Sequence, residues 1–152
     1  MKKLFIAFAA LSIMMSCKTT EKATAKENPV QQEVAIETLF VEANQWELIS
    51  FNGMQPEEAG FKMRTPVLTI NMAEMKAGGN SGCNSFGGKA MVEGNTITFD
   101  KVISTKMYCD GVPEVEFFQM IQQPLNYTVK GDVLQFEKDG KVILEYRLKK
   151  GE

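Results

Sequence analysis

Apolar and polar residues alternate over several short segments of this chain. An alternation with a period of two indicates β-strands that bury one face. Asp139-Gly140, between two such segments, is a strong signal for a tight hairpin, because both residues accept positive φ. The alternation is found at residues 46–48, 68–72, 97–99, 134–136 and 142–148.

One helix is predicted over residues 113–122. Glu114 and Glu116 near its start favour the positive end of the helix dipole, and Pro124 ends it. The helix carries a broad apolar face, which has to be buried against a sheet. We therefore predict a β-rich α+β fold, either a small antiparallel sheet or a partly open β-barrel, with one packed α-helix.

The start of the chain has a different pattern. Two lysines precede the apolar run of residues 4–15, and Ser16 stands directly before Cys17. The run is too short to span a bilayer and is typical of a signal peptide. With a cysteine after a small residue, the pattern is that of a bacterial lipoprotein signal, although Met14 takes the place of the usual leucine. An ordinary secretory signal or an uncleaved anchor is the alternative.

We accordingly expect residues 1–16 to be a signal peptide that is cut before Cys17. Fatty acyl chains such as palmitate on that cysteine would hold the protein on a membrane. The expected location is the cell envelope, lipid-anchored at the outer membrane and facing either the periplasm or the cell surface. Residues 17–37 are polar and poor in aromatics, which predicts a flexible tether, and residues 38–152 are predicted to form one domain.

The chain has three cysteines. If Cys17 carries lipid, Cys83 and Cys109 remain as a pair in a compartment that permits disulfides. We predict a bridge between them, which would contribute about 3.6 kcal/mol in the chain-entropy model. The alternative is a pair of buried, unpaired thiols.

Charge and composition exclude several classes of function. The formal net charge is −2, and removal of the two signal lysines makes it −4, which argues against a nucleic-acid partner. The chain has no histidine, which excludes hydrolases with a histidine base and His-ligated zinc. No carboxylate spacing fits a calcium loop. We expect no catalytic residue, no metal site and no cofactor, and therefore no enzyme.

Methionine is frequent, with ten residues in the chain. Because its side chain adapts to irregular gaps, methionine outside the signal is expected to be core filler rather than part of a metal or ligand site. Six are assigned to the core in this way: Met63, Met72, Met75, Met91, Met107 and Met120.

Residues 78–88 contain five glycines. Such a loop could offer backbone N–H groups to an anion. The Lys-Ser/Thr ending of a nucleotide loop is absent, however, and no helix follows. We therefore predict a tight passage between two strands, in which Asn84 turns its side chain onto its own backbone.

A series of motifs carries a family resemblance. Gly-Cys-Asn at residues 82–84 is followed by Gly-Asn-Thr-Ile-Thr-Phe at 94–99, then by Ser-Thr-Lys-Met at 104–107 with Cys109. In this order and spacing they resemble the META domain, the family of the heat-shock lipoprotein HslJ. The resemblance extends over residues 39–149. It implies a small β-rich domain with one helix, often exported and lipidated, and associated with heat shock and novobiocin tolerance. It implies no catalytic activity.

Two functions follow as hypotheses. The first is a non-enzymatic envelope lipoprotein, a stress-related module that binds another envelope component. Its possible binding surface is formed by Asn80, Asn84, Lys106 and Tyr108.

The second is a carrier or sequestering protein for a small apolar ligand. A partly open barrel would hold such a ligand against the apolar helix face of Phe117, Phe118 and Ile121. The same side chains would fill the core of a closed domain.

Overall fold

The computed structural model describes residues 38–149. The predicted signal peptide of residues 1–16, the predicted lipidation site Cys17 and the predicted tether of residues 17–37 lie outside the described residues. Among residues 38–149, no helix is both long enough and apolar enough to cross a membrane.

The described chain folds into eight strands and two short helices. In chain order they are β1 (Gln45–Phe51), α1 (Pro56–Ala59), β2 (Val67–Asn71), β3 (Lys76–Asn80), β4 (Ser85–Glu93), β5 (Thr96–Ser104), α2 (Glu114–Ile121), β6 (Leu125–Lys130), β7 (Val133–Lys138) and β8 (Lys141–Lys149).

Each strand pairs antiparallel with the next one along the chain. The last strand also pairs with the first, so that Leu48 lies opposite Tyr146 and the sheet closes into a ring. The predicted β-rich α+β fold is confirmed, and the ring is closed rather than partly open. The alternation within β1 and β8 shows which face of each strand is buried but not which strand it pairs with. The closure of the ring could therefore not be predicted from the sequence pattern.

The interior of the ring is lined by the alternating apolar residues of all eight strands. Leu48 and Tyr146 from the paired first and last strands are both buried there. The predicted hairpin at Asp139-Gly140 is confirmed, with φ of 51° and 75° at these two residues. The inward side chains form one continuous hydrophobic core.

The predicted helix is confirmed as α2, and it packs inside one end of the ring. Phe117 is fully buried, with its ring centroid 6.5 Å from that of Phe61 and 5.8 Å from that of Phe86. A second helix, α1, was not predicted. It is a single turn that starts at Pro56, a residue favoured at the first helical position.

The two ends of the ring differ. Phe40 seals one end, where its ring packs on Trp46 and Tyr127 and its carbonyl accepts the N–H of Met72 at 3.0 Å. We call this the entry end, because the described chain begins here. Helix α2 and the β3–β4 turn, residues 81–84, lie at the opposite end.

Candidate functional site

The β3–β4 turn is held by hydrogen bonds within its own segment. The side-chain oxygen of Asn80 accepts the N–H of Gly82 at 3.0 Å. The N–H of Ser81 donates to the carbonyl of Asn84 at 2.8 Å, and the N–H of Asn84 donates back to the Ser81 hydroxyl at 3.0 Å. The predicted tight passage between two strands is therefore confirmed for this glycine-rich segment.

The side chain of Asn84 joins this turn to the segment after β5. Its Oδ1 accepts the hydroxyl of Thr105 and the N–H of Met107, both at 2.7 Å. Its Nδ2 donates to the carbonyl of Met107 at 3.0 Å and to Oε2 of Glu114 at 2.8 Å. The amide uses two acceptor and two donor positions, which is its full capacity.

Glu114, the first residue of α2, links the helix to the same turn. Its Oε1 accepts the N–H of Asn84 at 3.1 Å and also the hydroxyl of Ser81. The carboxylate is half-buried and lies at the helix N-terminus, where the helix dipole favours a negative charge. Ser81, Asn84 and Glu114 thus form a polar cluster that fixes α2 to the sheet.

The disulfide between Cys83 and Cys109 adds a covalent link beside this cluster. The two Cα atoms are 5.9 Å apart, and the predicted bridge is confirmed. Asn84 therefore holds residues 105 and 107 while the disulfide holds residue 109, so the exposed loop after β5 is fixed at three points.

A further segment lies against the other side of the turn. A Cβ placed on Gly82 would be 2.5 Å from the ring of Phe61 and 3.1 Å from the carbonyl oxygen of Arg64. A Cβ on Gly60 would be 2.5 Å from the carbonyl oxygen of Gly111. We call the turn of residues 81–84, with segments 60–65 and 103–113 around it, the stapled end.

Comparison with known proteins identifies the fold and the family. The META domain matches residues 37–150, which is most of the chain. The chain belongs to the META domain family. The resemblance found in the sequence motifs is thereby confirmed, and no curated protein matches the chain.

Two solved structures share the fold of this META domain. One is an NMR structure of a protein with 18% sequence identity, covering 79% of this chain and 93% of its own, with a TM-score of 0.55. The other, an NMR structure of a protein from Burkholderia xenovorans, has 16% identity and covers 82% of this chain and 90% of its own, with a TM-score of 0.54. At these identities the likeness extends to the fold alone.

The four residues of the predicted binding surface separate into two pairs. Asn80 and Asn84 are 4% and 1% exposed, so the prediction that they contact a partner is wrong. Their side chains are used by internal hydrogen bonds, and that of Asn84 bonds to distant segments rather than to its own backbone. Lys106 and Tyr108 are exposed, and the Tyr108 hydroxyl donates to Asp110 at 3.2 Å.

Two residues of the META domain's polar cluster were missed in the sequence. Glu114 was assigned to the helix start, and Ser81 was counted within a glycine-rich turn. A carboxylate directly after Pro113 is an ordinary helix start, so only its proximity to the Gly-Cys-Asn motif distinguishes it. Nothing local in the sequence gives that proximity.

The remaining polar chemistry of the META domain is sparse. Within residues 38–149, no group of three or more His, Cys, Asp or Glu residues could hold a metal ion. Trp46 Nε1 and the Tyr146 hydroxyl are buried and have no hydrogen-bond partner in this part of the chain. Burial raises the pKa of Tyr146 well above its ordinary value. Both groups lie in the core of the ring.

The helix face suggested for a small apolar ligand belongs to the core. Phe117 and Ile121 are fully buried, and Phe118 is half-buried with its ring centroid 5.7 Å from that of Phe86. Aromatic rings in these edge-to-face arrangements stabilise each other. The helix thus uses its apolar face for packing inside the ring.

Proposed function

We propose that this protein is a non-enzymatic lipoprotein of the cell envelope whose META domain binds another envelope component. The tethering part of the proposal rests on the lipoprotein-type signal that precedes Cys17. The binding part rests on the stapled end.

The main observation in support of a binding role is that Tyr108 is exposed on a loop whose backbone is fixed. Its side chain is 89% exposed, although it stands between Met107, whose backbone bonds to Asn84, and the bridged Cys109. A loop that is already fixed loses little conformational freedom when a partner binds. Tyrosine also supplies a large, rigid contact area of the kind that anchors protein interfaces.

A non-enzymatic role is supported because the serine and carboxylate that could take part in catalysis are engaged in hydrogen bonds within the domain. Ser81 and Glu114 form a serine–carboxylate contact, but Ser81 is fully buried and the carboxylate also accepts hydrogen bonds from Asn84. A catalytic group must reach the proton that it transfers. With no histidine in the chain, a base of another kind would be needed.

The tether is tested with Cys17→Ser in the native host. Wild-type protein should incorporate radiolabelled palmitate and sediment with membranes, whereas the variant should lose the label and become soluble after export. A variant that still sediments and still carries the label would contradict lipidation at Cys17.

The binding role is tested with Tyr108→Ala and Lys106→Glu, compared with deletion of the gene. The matched control is Met75→Ala, another exposed apolar residue on a turn at the entry end. We expect Tyr108→Ala and Lys106→Glu to lower survival after envelope stress towards that of the deletion strain, at unchanged protein level. Survival equal to wild type in both variants would refute this surface.

A further inference from the structure

The most exposed apolar side chains of the described residues belong to the segments of the stapled end or to the residues next to them. Met63 and Met107 are 73% and 61% exposed, and Tyr108 is more exposed than either. Large apolar side chains that are exposed in the same part of a domain are typical of an interaction site. The five most exposed of the large apolar side chains all belong to this end or adjoin it: Met63, Ile103, Met107, Tyr108 and Val115.

Cationic side chains alternate with these apolar ones in two segments. Lys62-Met63-Arg64 lies on one side of the β3–β4 turn, and Lys106-Met107-Tyr108 on the other. A Cβ placed on Gly82 would be 3.1 Å from the carbonyl oxygen of Arg64, and Asn84, two residues later, bonds to the backbone of Met107. We call these six residues the basic apolar surface.

Carboxylates are absent from the segments that build this surface. Residues 61–66, 81–88 and 102–109 contain three cationic residues and no Asp or Glu. The nearest carboxylate along the chain, Asp110, accepts the Tyr108 hydroxyl, and Glu114 is occupied by the polar cluster. In a chain with net negative charge, Met63, Met107 and Tyr108 thus have cationic neighbours along the chain, whereas Val115 stands between Glu114 and Glu116.

We infer that the basic apolar surface docks on the anionic headgroups of a phospholipid bilayer. Lys62, Arg64 and Lys106 would bind lipid phosphates, to which Lys and Arg are attracted near an anionic leaflet. Met63, Met107 and Tyr108 would enter the headgroup region, where amphipathic and apolar side chains are favourable.

An open groove lies beside Thr105, the residue that precedes Lys106 in the chain. The groove has a volume of about 330 Å³ and is lined by residues of β4 and of the end of β5, namely Ser85, Phe86, Gly87, Ile103, Ser104 and Thr105. A bilayer offers phosphates and apolar groups in one continuous layer, whereas a protein partner would have to match each side chain individually. This favours a lipid partner over an acidic protein.

The inference rests on the proposed tether at Cys17 and deepens the proposed binding role. The described chain begins at the entry end, opposite the end that carries the basic apolar surface. A nine-residue strand such as β4 is about 30 Å long. The 20 residues between Cys17 and Thr38 span up to about 70 Å when extended. Either end can therefore contact the membrane that carries the lipid, and tethering raises the effective concentration of a weak contact.

The test uses the exported full chain with Cys17→Ser, so that no acyl chain contributes to binding. Co-sedimentation is measured with vesicles of pure phosphatidylglycerol and of pure phosphatidylcholine. A triple variant reverses the cations of the surface (Lys62→Glu, Arg64→Glu and Lys106→Glu). A matched control makes the same charge change at exposed lysines elsewhere (Lys89→Glu, Lys130→Glu and Lys149→Glu).

We expect the chain with Cys17→Ser alone, here called the unreversed chain, to bind phosphatidylglycerol vesicles and not phosphatidylcholine vesicles. The surface triple variant should bind at least tenfold more weakly, and the control triple variant should bind within about threefold of the unreversed chain, because attraction near an anionic leaflet acts over short distances. A Trp46 emission spectrum identical to that of the unreversed chain confirms that each variant is folded.

Two outcomes would overturn the inference. One is an absence of binding to phosphatidylglycerol vesicles, and the other is equal weakening in the two triple variants. If vesicles do not bind but the surface triple variant loses stress survival in cells, the surface recognises an acidic protein instead. In that case the proposed function stands and the lipid partner is wrong.

Discussion

Asn84 and Glu114 are 30 residues apart in the chain and are joined by two hydrogen bonds. The backbone N–H of Asn84 donates to Oε1 at 3.1 Å, and its side-chain Nδ2 donates to Oε2 at 2.8 Å. A hydrogen bond to a charged group stabilises a fold more than one between neutral groups. This pair therefore couples the β3–β4 turn to helix α2 and sets the position of the exposed loop between them.

Replacement of Asn84 should be costly. Asn84→Ala leaves the Glu114 carboxylate and the buried side of the 105–107 segment without their amide partner. We expect a loss of about 3 kcal/mol or more in the free energy of unfolding. Urea unfolding followed by the emission of Trp46, the single and fully buried tryptophan, measures this.

Asn126→Ala is the matched control for that substitution. Asn126 is exposed, and its side chain accepts only the hydroxyl of Thr96 at 3.3 Å. Its replacement should change the stability by no more than about 0.5 kcal/mol. Equal losses in the free energy of unfolding would show that the polar cluster stabilises the domain no more than an exposed hydrogen bond does.

Loss of the disulfide should leave the loop in place. Replacing both Cys83 and Cys109 by Ala should lower the stability by about 2–4 kcal/mol, because the unfolded chain is no longer restrained. The Met107 N–H should nevertheless remain protected from hydrogen exchange, since its acceptor is Asn84. Native-state exchange followed by NMR measures this protection.

The reverse behaviour is expected of Asn84→Ala with the disulfide intact. The Met107 N–H then has no acceptor and should exchange rapidly although Cys109 stays bridged. Rapid exchange in the cysteine variant, with continued protection in Asn84→Ala, would assign the loop's position to the disulfide alone.

Gly79 on β3 should not tolerate a side chain. Its φ is 147°, and a Cβ there would lie 1.9 Å from the carbonyl oxygen of Val67 on the paired strand. Gly79→Ala should cost at least about 3 kcal/mol, through a steric clash combined with backbone strain. Gly87→Ala on the neighbouring strand is the control, because the nearest atom to its Cβ is 3.8 Å away.

The control should lose no more than about 1 kcal/mol. Thermal unfolding monitored by circular dichroism is sufficient to separate the two glycine variants. Similar melting temperatures for both would contradict the close approach of β2 to β3 at Gly79.

Two tyrosines in the ring should respond in opposite directions to loss of the hydroxyl. The Tyr146 hydroxyl is buried without a partner in the described chain, so Tyr146→Phe should raise the stability by about 1 kcal/mol. The Tyr127 hydroxyl donates to the carbonyl of Gly94 at 3.2 Å, so Tyr127→Phe should lower it by a similar amount. Urea titration at neutral pH compares them.

Tyr146→Phe should also change how the free energy of unfolding depends on pH above pH 10. Burial raises the pKa of Tyr146 above the value of 10.0 that the unfolded chain has. As the pH rises past that value, the unfolded state releases a proton that the folded state retains, so stability falls. In Tyr146→Phe this part of the decline should be absent, and an unchanged slope above pH 10 would contradict the burial of the hydroxyl.

The strands and the hairpin were predictable because their signals are local. Alternation along β1 or β8 depends on each strand's own residues, and the Asp139-Gly140 turn depends on two adjacent positions. The polar cluster was not predictable, since Asn84 finds its partners 21 to 30 residues away. An asparagine that bonds to its own backbone and one that bonds to a distant carboxylate look alike in the sequence.

The methionines show a similar limit. Of the six assigned to the core, Met120 is buried and Met72 is half-buried, whereas the other four are exposed. Methionine is adaptable enough for a core and for a binding surface, so its identity alone does not give its location. The exposed Met63 and Met107 were assigned to the core for that reason, and they belong instead to the basic apolar surface.

The closure of the ring by β1 and β8 determines when the domain can be completed. The first strand, Gln45–Phe51, lacks one of its two neighbours until residues 141–149 are available. Contacts between the two ends of a chain form late, because the largest loop has to close. A chain that enters a translocation channel from its N-terminus therefore cannot complete this ring before its last strand has passed through. For the lipoprotein that we propose, completion of the ring would therefore follow the transport of β8 across the membrane.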